Sequence, residues 1–205
     1  METALPALDA AYWQARYEAA RTAWDAGGIT LPLQTYFEQL VVERQPRVLI
    51  PGAGHAYEAE YLHCAGFEHV FVADIASAAL AAVARRVPDF PAAHLLLADF
   101  FRLQPAPEPF DLLVEQTFFC ALDPALRPAY ARQCADLLRP GGTLVGLLFE
   151  ADFGPVREPP FGGGREEYRA YFEPYFEFRH FATATNSIRP RAGRELFICL
   201  KKKQL

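Results

Sequence analysis

The run Arg47-Val-Leu-Ile-Pro-Gly-Ala-Gly-His-Ala-Tyr57, together with His69-Val-Phe-Val-Ala-Asp-Ile75, constrains this chain more than any other feature. An apolar stretch of strand length runs into a glycine turn, helical sequence follows, and a second apolar strand ends on an acid. Gly52 and Gly54 carry no Cβ, so the backbone can turn tightly there and a ligand can lie against it. The helix behind the turn offers unpaired N–H groups, and Asp74 can accept hydrogen bonds from a ribose diol. The pattern predicts a site for a nucleoside-bearing cofactor on a parallel sheet.

Strand and helix signals alternate around this run. Strands are expected at 47–51, 69–75, 93–98, 111–115 and 143–149. Helices are expected at 57–65, at 78–86 with Ser77 as a cap, and from Asp123-Pro124 to Leu138. A Pro-rich loop at 105–109 precedes the fourth strand, and Arg139-Pro-Gly-Gly142 reads as a turn before the fifth. Past a Pro/Gly-rich loop at 154–164 come a short helix at 166–172 and two strands at 176–184 and 195–201. Those last two strands are joined without a helix, which predicts an antiparallel edge strand. The expected fold is α/β and Rossmann-like, a seven-stranded, mostly parallel sheet with helices on both faces.

The first 45 residues read as helical, with Tyr12, Trp13, Tyr17 and Trp24 recurring at mostly helical spacing up to Asp25. A second helix runs from Pro32 to about Glu43. On spacing alone the aromatic residues fit an ordinary core-packed helix face. The chain of 205 residues is expected to form one domain, with 1–45 as a cap and 46–205 as the α/β core.

Composition excludes several classes. Net charge is −5, and the one basic block is Lys201-Lys202-Lys203, so a nucleic-acid partner is disfavoured. No apolar run is long enough to span a bilayer, and no signal pattern opens the chain, which predicts a cytoplasmic protein. Cys64, Cys120, Cys134 and Cys199 show neither C-x-x-C pairing nor metal-ligand spacing and are expected to be reduced core fillers. His63, His69, His94 and His180 are scattered and read as structural, so no metal is expected. His55 reads as a surface-loop histidine, and Arg165, Arg169, Arg189, Arg191 and Arg194 as solvated charge.

Two cofactor readings compete at the glycine turn. A dinucleotide oxidoreductase using NAD(P) would want G-x-G-x-x-G, but the third position here is Tyr57. Asp99-Phe100 ends the third strand, where the acid suits an adenine amino group and the ring its face. Glu115 ends the fourth, where open α/β sheets bind ligands. With the turn Leu138-Arg-Pro-Gly-Gly-Thr-Leu144 and the closing strand pair, this pattern resembles class I S-adenosylmethionine-dependent methyltransferases.

The resemblance narrows further. Trp13, Tyr17 and Arg21-Thr-Ala-Trp-Asp-Ala-Gly27 are similar to the N-terminal cofactor lid of the thiopurine methyltransferase superfamily. Glu115-Gln-Thr-Phe-Phe-Cys-Ala-Leu122, Arg127-Pro-Ala-Tyr130 and Leu137-Leu-Arg-Pro-Gly-Gly142 resemble the plant halide, thiocyanate and thiol methyltransferases. Pro159-Pro-Phe161 and Gly193-Arg-Glu195 continue the match, which covers Trp13 to about Lys202. It implies S-adenosylmethionine as cofactor, S-adenosylhomocysteine as product, and a small soft methyl acceptor: a thiol, a thiopurine, or a halide- or thiocyanate-type anion. It implies cofactor contacts at Trp13, Tyr17, Trp24, Gly52, Gly54, Asp74, Asp99, Phe100 and Glu115. Phe118, Phe119 and Phe149 are acceptor-pocket candidates, with core packing the alternative for Phe118 and Phe119. Where the family often has Asp-Tyr this chain has Glu115-Gln116, and Phe149 replaces a family tyrosine. A monomer or weak homodimer is expected. A methyltransferase-like protein that binds the cofactor without catalysis is the remaining alternative.

Overall fold

The computed structural model describes residues 6–204 apart from 106, 107, 155 and 157, so the expected loops at 105–109 and 154–164 lie partly outside the described residues. The strands are β1 (Val48–Pro51), β2 (Val70–Asp74), β3 (Leu95–Leu97), β4 (Phe110–Gln116), β5 (Leu138–Phe149), β6 (Phe176–Thr183) and β7 (Glu195–Lys202). They form one seven-stranded sheet in the order β3-β2-β1-β4-β5-β7-β6. The first five run parallel. The antiparallel strand is β7, one in from the edge, with β6 outside it.

Side-chain alternation explains the layers. Along β1, Val48 and Ile50 face one side of the sheet and Leu49 the other, all buried. Val48 and Ile50 join the core under α2 (Leu31–Phe37), α3 (Tyr57–Cys64) and α4 (Ser77–Arg86). Leu49 joins the core under α5 (Arg127–Leu137) and α6 (Arg165–Phe172). A strand buried on both faces reads as a continuous apolar run, as Val48–Pro51 does.

Several boundaries differ from expectation. The first helix, α1 (Ala10–Glu18), is capped by Asp9, whose side chain accepts the Tyr12 N–H at 2.9 Å. It stops before residue 25 because Ala20 turns the chain at φ +52°, so Trp24 arrives on a loop. Likewise α2 ends at Phe37 rather than near 43. Ser77 is the first residue of α4, not its cap. Side chains outside the helix serve that end instead: Gln14 Oε1, distant in sequence, accepts the Ala78 N–H at 3.1 Å, and the nearby Asp74 accepts the Ala76 N–H at 2.7 Å. The Arg139–Gly142 turn is absorbed into the start of β5, where the pairing with β4 shifts register between Phe110 and Leu112.

Parallel strands end at the same edge. The strand order reverses between β1 and β4, and a crevice opens there beyond the carboxyl ends of the strands.

Candidate active site

A cavity of about 990 Å³ fills that crevice. Its floor is backbone. Gly52 follows β1 at φ +62°, its N–H donating to the Ala73 carbonyl at 2.8 Å. A Cβ on Gly52 would overlap the Phe118 ring, so both conformation and space require glycine there. Asp74 ends β2, largely buried on the wall. Burial pushes its carboxyl up to about 6, against the pull of backbone N–H groups at Ala76, Ala53, Ile75 and Gly54. Asp99 caps a short turn at Phe100–Arg102, accepting the Phe101 N–H at 2.9 Å, and brings the Phe100 ring to the wall.

The N-terminal aromatic residues Trp13, Tyr17 and Trp24 form another side of the cavity. Trp24 meets both Trp13 and Tyr17 edge to face, with ring centroids 5.6 Å apart in each case. Groups far away in sequence hold this cluster. The Arg191 guanidinium donates to the Trp24 carbonyl at 2.6 Å, and Arg16 pairs with Glu158. Tyr57 O–H donates to Asp25 at 3.1 Å, and His55 Nε2 lies 3.3 Å from the same carboxylate. His55 is also stacked on Tyr57 at 5.7 Å, so it is packed against its neighbours rather than a free loop residue.

The remaining wall is aromatic. Phe118, Phe149 and Phe153 line it, the last two packed edge to face at 5.4 Å. Arg191 lies over Phe149 at 5.5 Å and Arg194 over Phe153 at 4.9 Å.

Trp13, Tyr17, Trp24, Gly52, Gly54, Asp74, Asp99, Phe100, Phe118 and Phe149 therefore all border one cavity. Two expected site residues do not. Phe119 is fully buried beneath the wall, packed on Tyr130 at 5.3 Å and Tyr168 at 5.1 Å, with Arg127 over its face at 4.9 Å. Its place on a turn directly after a cavity residue sends it to the opposite side, into the core. Glu115 is also fully buried, and its carboxylate is spent on the Phe118, Phe119 and Tyr130 donors.

Other residues enter that sequence reasoning passed over. Arg191, expected to be solvated, is 7% exposed and paired with the buried Glu195 at 3.3 Å. Its i,i+4 spacing to Glu195 was the available signal, though no helix was expected there to make use of it. Arg16 lies one turn after Trp13, and Phe153 sits in a loop with no periodicity. Glu58, in the first turn of α3, is buried beside a space of about 30 Å³ bounded by Trp24, Gly54, His55 and Gln116. Burial pushes its carboxyl up to about 7, against the attraction of Arg191 and Arg86. Of the cysteines, Cys120 and Cys134 are buried, but Cys64 is exposed and so is not a core filler.

Among the described residues, no group of three His, Cys, Asp or Glu side chains is placed to hold a metal ion, and no helix is long and apolar enough to cross a membrane.

Sequence similarity to known proteins identifies the family. The family model described as Thiopurine S-methyltransferase (TPMT) matches residues 8–202. The chain is 32% identical over 191 residues to "Probable thiol methyltransferase 2" of Arabidopsis thaliana, covering 89% of this chain and 81% of that protein. It is 33% identical over 150 residues to "Thiocyanate methyltransferase 1" of Brassica oleracea, covering 70% of this chain and 65% of that one. In fold it is similar to a Burkholderia thailandensis 1,6-didemethyltoxoflavin-N1-methyltransferase, a structure with bound S-adenosylhomocysteine. The TM-score is 0.73 at 17% identity, over 100% of this chain and 94% of that one. The dinucleotide reading falls with this match: the chain belongs to the thiopurine S-methyltransferase family, and is an S-adenosylmethionine-dependent methyltransferase.

Proposed function

We propose that the chain methylates a small soft nucleophile, a thiol, a thiopurine, or a halide- or thiocyanate-type anion, inside the cavity between lid and strand ends. One observation carries the reading: the Gly52 turn and the Phe118 ring are in direct contact, so a cofactor floor and an aromatic acceptor wall share a seam. The names of the relatives support the acceptor class.

The residues present fit the cofactor. Asp74 offers a buried carboxylate on the wall for ribose hydroxyls, and Asp99 with Phe100 offers an acceptor and a ring for adenine. Gly54, at φ +54°, lets the chain turn beside the Trp24 indole, and both line the cavity where the amino-acid tail would lie. When bound, S-adenosylmethionine supplies an electrophilic methyl group on a sulfonium whose departure leaves a neutral thioether. The faces of Trp13, Tyr17 and Trp24 favour positive charge by about 0.5–2 kcal/mol. The lid excludes water, and Phe118 and Phe149 leave an anionic acceptor poorly solvated. Alignment of two reactants in one closed space is worth roughly 7–11 kcal/mol of barrier. Halide and thiocyanate carry no proton, and a thiol or thiopurine reacts as its thiolate after giving its proton to solvent, so no side chain is assigned as a base.

The rest of the reading follows from charge and chemistry. The net charge of −5 disfavours nucleic acid, and free cysteines at all four positions suit a reducing, cytoplasmic setting. We read the chain as one domain with residues 1–45 as its lid, active as a monomer or weak homodimer.

The test is an acceptor panel of aromatic and aliphatic thiols, thiopurines, iodide and thiocyanate, followed by mass spectrometry of the methylated products. Turnover of at least one soft acceptor, and none of alcohols or amines, is expected. Turnover confined to oxygen or nitrogen acceptors would sink the reading.

A further inference from the structure

The acid that ends β4 does not reach the cavity, yet it governs a residue that does. Glu115 Oε1 accepts the Phe118 N–H at 2.7 Å and the Phe119 N–H at 2.9 Å, and Oε2 accepts the Tyr130 O–H at 2.5 Å. Between the acid and those amides the chain reverses through Thr117 at φ +62°, a conformation disfavoured for a β-branched residue. Such a turn persists only where its surroundings over-determine it. Here the carboxylate does so, by gathering the two N–H groups that follow.

The space for this arrangement is built in. On the neighbouring strand Gly146 stands opposite Glu115, and a Cβ there would overlap Glu115 itself. Tyr130 reaches in from α5, fully buried, and fixes the second oxygen. Phe118 leaves the turn with its ring against Gly52 and edge-on to Phe100 at 5.6 Å and Tyr130 at 5.9 Å.

We propose that Glu115 is a positioning residue: through the Phe118 N–H, with Tyr130 locking its second oxygen, it holds the Phe118 ring at the seam between cofactor floor and acceptor wall. The role rests on the reading of Phe118 as acceptor wall. It differs from a direct cofactor contact, because no atom of the carboxylate is left facing the cavity. Burial pushes this carboxyl up to about 7, and the Tyr130, Phe119 and Phe118 hydrogen bonds pull against that rise.

Glu115→Ala, Glu115→Gln and Tyr130→Phe in the full chain test the role, using a soft acceptor that the wild type turns over. Glu115→Ala is expected to lower kcat/KM for the acceptor about tenfold or more, the equivalent of one charged hydrogen bond. Its S-adenosylhomocysteine Kd should stay near the wild-type value. Glu115→Gln keeps an oxygen for the two amides and should recover most of the loss, with Tyr130→Phe in between. A parallel loss of S-adenosylhomocysteine affinity would assign Glu115 to the cofactor and overturn the proposal. So would a lower melting temperature with unchanged acceptor kinetics. If Glu115→Ala does not fold, unchanged acceptor KM and kcat in both other variants overturn it. The crystal structure of Glu115→Ala, or of Tyr130→Phe, reads the role without turnover: a Phe118 ring displaced from Gly52 supports it and an unmoved ring refutes it. A wild type inactive on every soft acceptor would instead refute the functional reading.

Discussion

The two walls of the cavity are made from different materials. The proposed cofactor wall is mostly backbone and short side chains, drawn from the ends of β1, β2 and β3 and the turns that follow them. Gly52, Asp74 and Phe100 come from within about fifty residues of one another, and each is placed by its own strand end. The proposed acceptor wall and lid are side chains from five separated stretches, around Trp13, Trp24, Phe118, Phe149 and Arg191. No local rule places those. They are held by contacts such as Arg191 to the Trp24 carbonyl, which spans 167 residues. A wall made of turns tolerates few substitutions at its glycines, whereas a wall made of long-range contacts can be loosened one contact at a time.

That difference is breakable by mutation, and the largest effect is expected at Arg191. Arg191→Ala leaves Glu195, 2% exposed, without its cation and frees the Trp24 carbonyl. Removing one partner of a buried pair costs about 3–5 kcal/mol, so a clear drop in melting temperature and a weaker hold on the lid are expected. A melting temperature within error of wild type would show that the acceptor side does not depend on this contact.

On the cofactor wall, Asp74→Asn should weaken S-adenosylhomocysteine by about 1.5–3 kcal/mol, the range for hydrogen bonds to a charged group, as read by calorimetry. The pH dependence carries the sign of the shift. Because burial raises the folded carboxyl from 3.8 to about 6, the ligand-free fold prefers it protonated, and that group's contribution to stability declines as pH rises from 3.8 through 6. Ribose donors require the charged form, so wild-type affinity should fall as pH drops below about 6, while Asp74→Asn lacks that slope. Equal slopes in both proteins would remove Asp74 from the site.

The smallest effect is expected at the lid clasp. Arg16 and Glu158 form a pair with side chains 16% and 60% exposed, and such pairs contribute about 0.2–1 kcal/mol. Arg16→Ala and Glu158→Ala should each raise the cofactor KM by less than about fivefold, and the double variant by no more than either single. Fully additive losses would mean that the pair does not act as one clasp.

The same division explains what could be read early. Strand–turn–acid logic located Gly52, Asp74 and Asp99, since each depends on residues adjacent in sequence. Aromatic spacing alone fits a core-packed helix face running to Asp25, and only the family resemblance implies a lid. In the fold the helix ends at Glu18, and Trp24 packs from a loop. Phe118 and Phe119 were indistinguishable by composition. A left-handed turn at Thr117 sends one ring to the cavity and the other into the core. Glu115 stands at the expected strand end, but it is fully buried there, with Tyr130 and two amides on its oxygens, which only the fold reveals.

By itself, then, the sequence determined a doubly wound, mostly parallel sheet and a glycine turn with acids at the strand ends beside it, because periodicity and turn chemistry act over a few residues. Tertiary structure alone decided that Phe118 faces the cavity while Phe119 enters the core, that Arg191 is buried against the Trp24 carbonyl, and that Glu115 binds the Phe118 and Phe119 amides. Those outcomes depend on which groups meet across the sheet, and burial assigns each polar atom to whatever partner the fold brings within reach.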